Sequence, residues 1–109
     1  MIAAKLKSFF DQFVELDLQV WQNFMQLGDV KTLPKETVLK DSNTTEKFMN
    51  FLVEGSGGTL IFNNNNFICV DIAFENEFLN DYVSFALQNP SSMEVRLFED
   101  STILSIPHH

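Results

Sequence analysis

From residue 30 onward, apolar residues never run far before turn formers interrupt them, and this punctuation restricts the fold more than any other feature of the chain. Residues 30–33 stop at Pro34-Lys35-Glu36, and 38–40 stop at Asp41-Ser42-Asn43. Residues 48–53 stop at Glu54-Gly55-Ser56-Gly57-Gly58, whose glycines permit the positive φ angles of tight reversals. Residues 59–62 and 67–74 flank Asn63-Asn64-Asn65-Asn66, a hairpin connection, because Asn tolerates the left-handed region better than other side-chain-bearing residues. Short strands at this spacing predict an antiparallel sandwich or roll.

The rhythm differs at both ends of that run. Over residues 2–27 the apolar positions recur at helical spacing, with Leu6, Phe9, Phe10 and Phe13 first, then Val20, Trp21, Phe24, Met25 and Leu27. Two short helices follow from this, the second capped by Asp17 and the pair ending at Gly28. Their polar side carries Gln, Asn and acids rather than Lys and Arg, so the apolar stripe is expected to pack on the domain's own sheet and not on anionic lipid. Late in the chain Glu75-Asn76-Glu77-Phe78 reads as loop, and 81–87 as one or two helical turns capped by Asn80 or Asp81. Gln88-Asn89-Pro90 ends them, because proline disfavours helix in the residue before it. Strands return at 93–98 and 102–106 around Glu99-Asp100-Ser101.

The expected architecture is one domain, mainly β with flanking helices. It is an antiparallel double-stranded β-helix or jelly-roll-like β-roll over 29–107, with a helical lead-in over 1–28 and a short helix inserted before the last strands. A chain of 109 residues with twelve phenylalanines can bury a core without staples. Cys69 is its one cysteine, so no internal disulfide or thiolate cluster forms, and its apolar neighbours Phe67, Ile68 and Val70 suggest a small buried core residue. Neither a signal peptide nor an apolar stretch long enough to span a bilayer is legible, which with the cysteine usage points to the cytoplasm and away from membranes. The formal net charge of −8 sets this surface against DNA phosphates, and no direct nucleic-acid binding is expected.

Several stretches carry a family likeness. Leu33-Pro34-Lys35-Glu36-Thr37-Val38-Leu39 resembles the K-G-E-x-L opening hairpin of Crp/Fnr transcription regulators, and Phe51-Leu52-Val53-Glu54-Gly55 is similar to their F-I-x-x-G strand and turn. Ala73-Phe74-Glu75-Asn76-Glu77-Phe78, Asp81-Tyr82-Val83-Ser84-Phe85, Gln88-Asn89-Pro90-Ser91 and Leu97-Phe98-Glu99-Asp100-Ser101 resemble a divergent branch of the same cyclic-nucleotide-binding domains. The resemblance implies a non-catalytic sensor domain taking a small-molecule effector. In complete regulators of this family a long dimerisation helix and a helix-turn-helix follow, so it also implies a homodimer in the full regulator; neither element is present in these 109 residues.

In that family the short helix and the loop after it hold the cyclic phosphate, with Gly-Glu opening the helix and Arg-Ser following it. Matching the closing strands puts Asn80-Asp81 at the first pair and Ser91-Ser92 at the second. Ser91 offers a hydroxyl but no positive charge, and a charge-assisted hydrogen bond is about twice as strong as a neutral one. Asn80 adds a side chain where a phosphate needs close backbone approach. Asp81 can still accept a hydroxyl, and Tyr82 and Ser84 are further candidates for the pocket wall. With Glu75 and Glu77 nearby, Asp81 is expected to make the mouth acidic, so cAMP or cGMP would be poorly held. Arg96 shares a strand face with Glu94 and is expected to be solvated.

No catalytic constellation is legible. His108 and His109 stand at the extreme carboxyl end, where a native tail and an affinity-tag remnant read alike, and are set aside. No histidine accompanies a serine or cysteine, and no strand carries the His ligands that a cupin-like metal enzyme needs. No metal, no resident cofactor and no enzyme activity are expected. Beside the effector-sensing reading stand a ligandless structural or dimerisation module on the same fold and, third, a small cupin-like metal enzyme.

Overall fold

The computed structural model describes residues 2–11 and 17–108. Two helices open the chain, α1 at Ile2–Phe10 and α2 at Leu18–Met25. Seven strands follow, β1 Asp29–Leu33, β2 Val38–Lys40, β3 Phe48–Glu54, β4 Gly57–Asn63, β5 Asn66–Ala73, β6 Met93–Leu97 and β7 Ser101–Pro107, with the short helix α3 at Tyr82–Leu87 between β5 and β6. All pairings are antiparallel. One sheet has the order β1-β7-β3 and the other β2-β6-β4-β5. The chain changes sheet between β1 and β2, β2 and β3, β3 and β4, and β6 and β7, which makes the predicted jelly-roll-like β-roll with its helical lead-in and inserted helix.

The reversals are built from the residues that can make them. Glu36 (φ 73°), Asn43 (φ 65°) and Gly55 (φ 111°) take left-handed conformations at the sheet changes, and Asn64 (φ 51°) and Asn65 (φ 66°) turn the β4–β5 hairpin. Gly57 and Gly58 do not belong to a reversal, as expected from sequence, but open β4. They are glycines because neighbours lie too close for a Cβ: the Leu79 side chain and Arg96 carbonyl at Gly57, the Phe98 ring and Asp71 carbonyl at Gly58. Gly28 is likewise no left-handed helix cap. α2 stops at Met25, and a Cβ on Gly28 would strike the carbonyl oxygen of Ser105. At Asp17 the bond seen is from the Val20 N–H to the backbone carbonyl, not to the side chain.

Strands β3 and β7 of the three-stranded sheet are covered on both faces, while β1 is largely exposed. Phe51, Leu104 and Ile106 pack outward against Ala3 and Leu6, with Leu18 and Met25 at the margin, so the lead-in helices seal the sheet as expected. Phe13, Glu15 and Leu16 lie outside the described residues, as do the side chains of Phe9, Phe10, Trp21 and Phe24. On the inner face Leu52 and Ile103 meet Val95, Leu97, Ala73 and Leu79 to form the core of the roll. The stretch between β5 and α3 runs along β3, with Leu52 N–H bonded to the Glu77 carbonyl, Leu79 N–H to the Asn50 carbonyl, and the Phe51 and Phe78 rings 5.2 Å apart. That attachment delivers Asn80 and Asp81 to the open end of the roll.

Two surface expectations are corrected. Cys69 is exposed, because β5 is the edge strand of its sheet and is exposed along nearly its whole length; the thiol lies 3.3 Å from the Asp71 carbonyl. Arg96 is not simply solvated. It is half-buried, paired with Glu94 at 2.9 Å and Glu36 at 3.6 Å, and its guanidinium lies 5.3 Å from the centre of the Phe67 ring.

Candidate functional site

α3 has only six residues and relies on its ends. Asp81 is its N-cap, the carboxylate accepting from the Ser84 N–H at 3.1 Å, and Gln88 closes it in the left-handed conformation with its N–H on the Ser84 carbonyl. The Asp81 carboxylate does more than cap. It takes the Ser91 hydroxyl proton in a short hydrogen bond and lies 3.2 Å from the Lys40 ammonium, both side chains of that pair being 2% exposed. Lys40 also donates to the Met93 carbonyl at 2.6 Å and the Ser91 carbonyl at 3.1 Å. An ammonium has three protons, and with the Ser91 hydroxyl at 3.4 Å four acceptors surround them. Ser91 is held in turn, its hydroxyl oxygen accepting the Met93 N–H at 3.1 Å.

Behind this pair lies a second buried acid. Glu46 is 1% exposed and accepts the Asp81 N–H at 3.3 Å. Burial raises its pKa from 4.5 to about 7, the bonds from the Asp81 and Phe48 N–H groups and the Lys40 charge offsetting only part of that, while the Asp81 charge adds to it. Asp81 goes the other way. Burial pushes it up, but the Ser91 hydroxyl, the Ser84 N–H and Lys40 outweigh that and hold its carboxyl below the ordinary range. The same segment anchors α3: Ser84 Oγ accepts the Glu46 N–H at 2.9 Å and donates to the Asn89 carbonyl at 2.6 Å, and Gln88 Nε2 donates to the Glu46 carbonyl at 3.0 Å.

On the other side of Asp81 opens a cavity of about 330 Å³ lined by Thr59, Val70, Asp71, Asn80, Asp81, Tyr82, Val83 and Met93. None of these eight is Lys or Arg. Tyr82 spans its rim, the hydroxyl donating to the Phe78 carbonyl at 3.2 Å. The phenol is pushed up by burial and by the charges of Asp71 and Glu77, so the mouth is acidic. Of the acids expected there, Glu77 does act on Tyr82, joined by Asp71, but the other two do not. Asp81 is neutralised by Lys40, and Glu75 turns to Lys5 at 3.5 Å.

Of the residues singled out from sequence, Asn80, Asp81 and Tyr82 meet at this cavity, and Ser91 lies behind it, bonded to Asp81 and Met93 of its lining. Ser92 is exposed and lines a separate cavity with Ser42, Asn43, Phe62 and Phe67. Ser84 is buried against the Glu46 and Asn89 backbone. Lys40 and Glu46 were not foreseen. No alternation signal marks Lys40, because Leu39 rather than Val38 packs on the core of the roll and the β2–β6 register shifts between Val38 and Lys40. Glu46 gives none either. Among the described residues no group of three or more His, Cys, Asp or Glu side chains could hold a metal ion, and no helix is long and apolar enough to cross a membrane.

No family model and no curated protein matches this sequence. Solved structures do match. A cyclic-nucleotide-binding domain from Methylobacillus flagellatus KT superposes with a TM-score of 0.85 at 7% identity over 98% of this chain and 62% of its own. The sensor domain of the transcriptional regulator DNR from Pseudomonas aeruginosa gives 0.80 at 12% over 98% and 71%. The regulatory domain of Toxoplasma gondii PKA, crystallised with cAMP, gives 0.80 at 11% over 98% and 42%. The chain thus spans less than two thirds of the first and last of these. At such identities the likeness establishes the fold: this is the β-roll of cyclic-nucleotide-binding domains.

Proposed function

We propose that this chain is a ligand-sensing regulatory domain whose responsive element is α3, and that cyclic phosphate is not its effector. One observation carries this reading: the buried cation beside the short helix, Lys40, already has four internal acceptors around its three protons, so no charged donor is left for a phosphate. Ser91, at the position the resemblance assigns to arginine, donates its hydroxyl hydrogen bond to Asp81. An anionic ligand would meet Asp71 in the lining of the cavity. Meanwhile the cavity has the volume of a small-molecule site and is walled by α3 itself. In this reading the domain works in the cytoplasm, has no enzymatic activity, and serves a dimeric transcription regulator as its sensing half.

Thermal denaturation against a panel of metabolites that includes cAMP and cGMP, with hydrogen exchange followed over residues 81–88, tests the proposal. No stabilisation by either cyclic nucleotide at about 1 mM is expected, together with slowed exchange in α3 for the compound that binds, since a ligand of the folded state stabilises by RT ln(1 + [L]/Kd). Stabilisation by micromolar cAMP would overturn the statement about phosphate. A second reading, a dimerisation module without ligand, is favoured by the apolar side chains left exposed on β4 and β5, Phe62, Phe67, Ile68, Val70 and Ile72. Sedimentation equilibrium finding a dimer, with no panel compound altering α3, would favour it.

A further inference from the structure

The cavity beside α3 contains an unusual unpaired group. Asn80 lines it and is 2% exposed, yet neither its amide nitrogen nor its amide oxygen has a hydrogen-bond partner. Several buried polar side chains nearby do have partners. Asn50, for instance, gives its amide to the Leu79 carbonyl and accepts the Ser105 hydroxyl. A buried carboxamide left with nothing costs the desolvation of one acceptor and two donors, so native structures rarely leave one unanswered. The surroundings limit what can answer it. Val70, Val83, Met93 and the Tyr82 ring give apolar walls, and Asp71 sets negative charge in the lining. The wall on the α3 side is formed by Tyr82 and Val83, both exposed.

We propose that this cavity takes an uncharged planar molecule with an amide-type edge, an N–H beside a C=O, which pairs with the Asn80 carboxamide through two parallel hydrogen bonds. The inference rests on the sensing reading above and names its ligand class. A carboxylate of the same shape offers two acceptors and no donor, leaves the Asn80 oxygen unanswered, and is repelled by Asp71. The pairing is therefore selective for amide over acid.

Nicotinamide and nicotinate, and benzamide and benzoate, are the probes, each pair differing in the amide alone. At roughly 10 mM the amides raise Tm by a few degrees and the acids do not. Asn80→Leu, which replaces the unpaired amide by an apolar group of similar size, keeps or raises the Tm of the free protein and loses the response. Asn80→Gln tests position, because a carboxamide displaced by one methylene loses most of the response while remaining folded. Equal shifts with amides and acids, a shift that survives in Asn80→Leu, or no shift with either amide, in which case buried water answers Asn80, would each overturn the proposal. If the amides bind through Asn80 but exchange in α3 does not change, the ligand class stands and the sensing reading fails. If only an acid of the wider panel slows α3, the sensing reading stands and the ligand class fails.

Discussion

Glu46 should make the protein less stable as pH rises through neutrality. Its carboxyl is buried, with Lys40 from β2 and Asp81 from the α3 cap as the charged groups acting on it, and titrates at about 7 when folded against 4.5 as the ordinary value. Between those two pH values the folded chain holds a proton that the unfolded chain has released. The Glu46 contribution to stability is therefore complete at and below 4.5, declines between 4.5 and about 7, and is gone above. At about 1.4 kcal/mol per pH unit the full decline is about 3 kcal/mol. Asp81 does not disturb this window. Its folded pKa is depressed, so its contribution is complete above the unfolded value and is lost only as pH falls below it. Glu46→Gln keeps an oxygen to accept the Asp81 N–H and cannot ionise, so urea unfolding of this variant should show a midpoint nearly constant from pH 5 to pH 8. The wild-type midpoint should fall by roughly 1–2 M urea over the same range, with the slope of the transition unchanged. Parallel curves for the two proteins, or a wild type as stable at pH 8 as at pH 5, would refute the assignment.

Two further outcomes follow from the same packing. Lys40→Met leaves the Asp81 carboxylate buried without its cation and should cost about 3–5 kcal/mol by urea denaturation at pH 7, part of it recovered when Asp81→Asn is added, because then no charge is stranded. Gly57→Ala puts a methyl against the Leu79 side chain and the Arg96 carbonyl, and should lower stability by about 1–3 kcal/mol, read as a lower Tm; an unchanged Tm would show that β4 can shift away from β6.

The parts of this structure legible in the sequence are those decided by near neighbours. β2 falls where it was expected, and the Asn63–Asn66 connection is a hairpin because two successive asparagines can take positive φ. Asp81 caps α3 because a carboxylate three residues before an N–H is a local geometry. The misreadings have a common cause. Gly28, Gly57 and Gly58 looked like turn residues, but what requires glycine there is backbone or side chain arriving from Ser105, Leu79, Arg96 and Phe98, distant in sequence. Cys69 has apolar neighbours, yet burial depends on whether another strand covers β5, and none does on its outer edge. The site divides the same way. Asn80 and Ser91 were reached by family resemblance, whereas Lys40 and Glu46 enter through partners 35 to 53 residues away along the chain.

A helix of six residues has no stability of its own in water, since nucleation costs more than so few hydrogen bonds return. The position of α3 is therefore set by what holds it: Asp81 at its start, Ser84 and Gln88 on the Glu46 backbone, and the Ser84 hydroxyl on Asn89. Every one of these attachments lies on the network side. The opposite side, where Tyr82 and Val83 wall the cavity, contributes the Tyr82 bond to Phe78. Asn80 sits between the two, one peptide away from the N–H that Asp81 gives to Glu46. A group that engages Asn80 thus acts on the first residue of the helix anchorage, and a change of charge at Lys40 or Glu46 acts on the same residue from behind. The cavity and the buried charges share Asp81 and Met93 as well as the backbone segment 80–81, and in the proposed sensing reading this is the route by which α3 would report what occupies the roll.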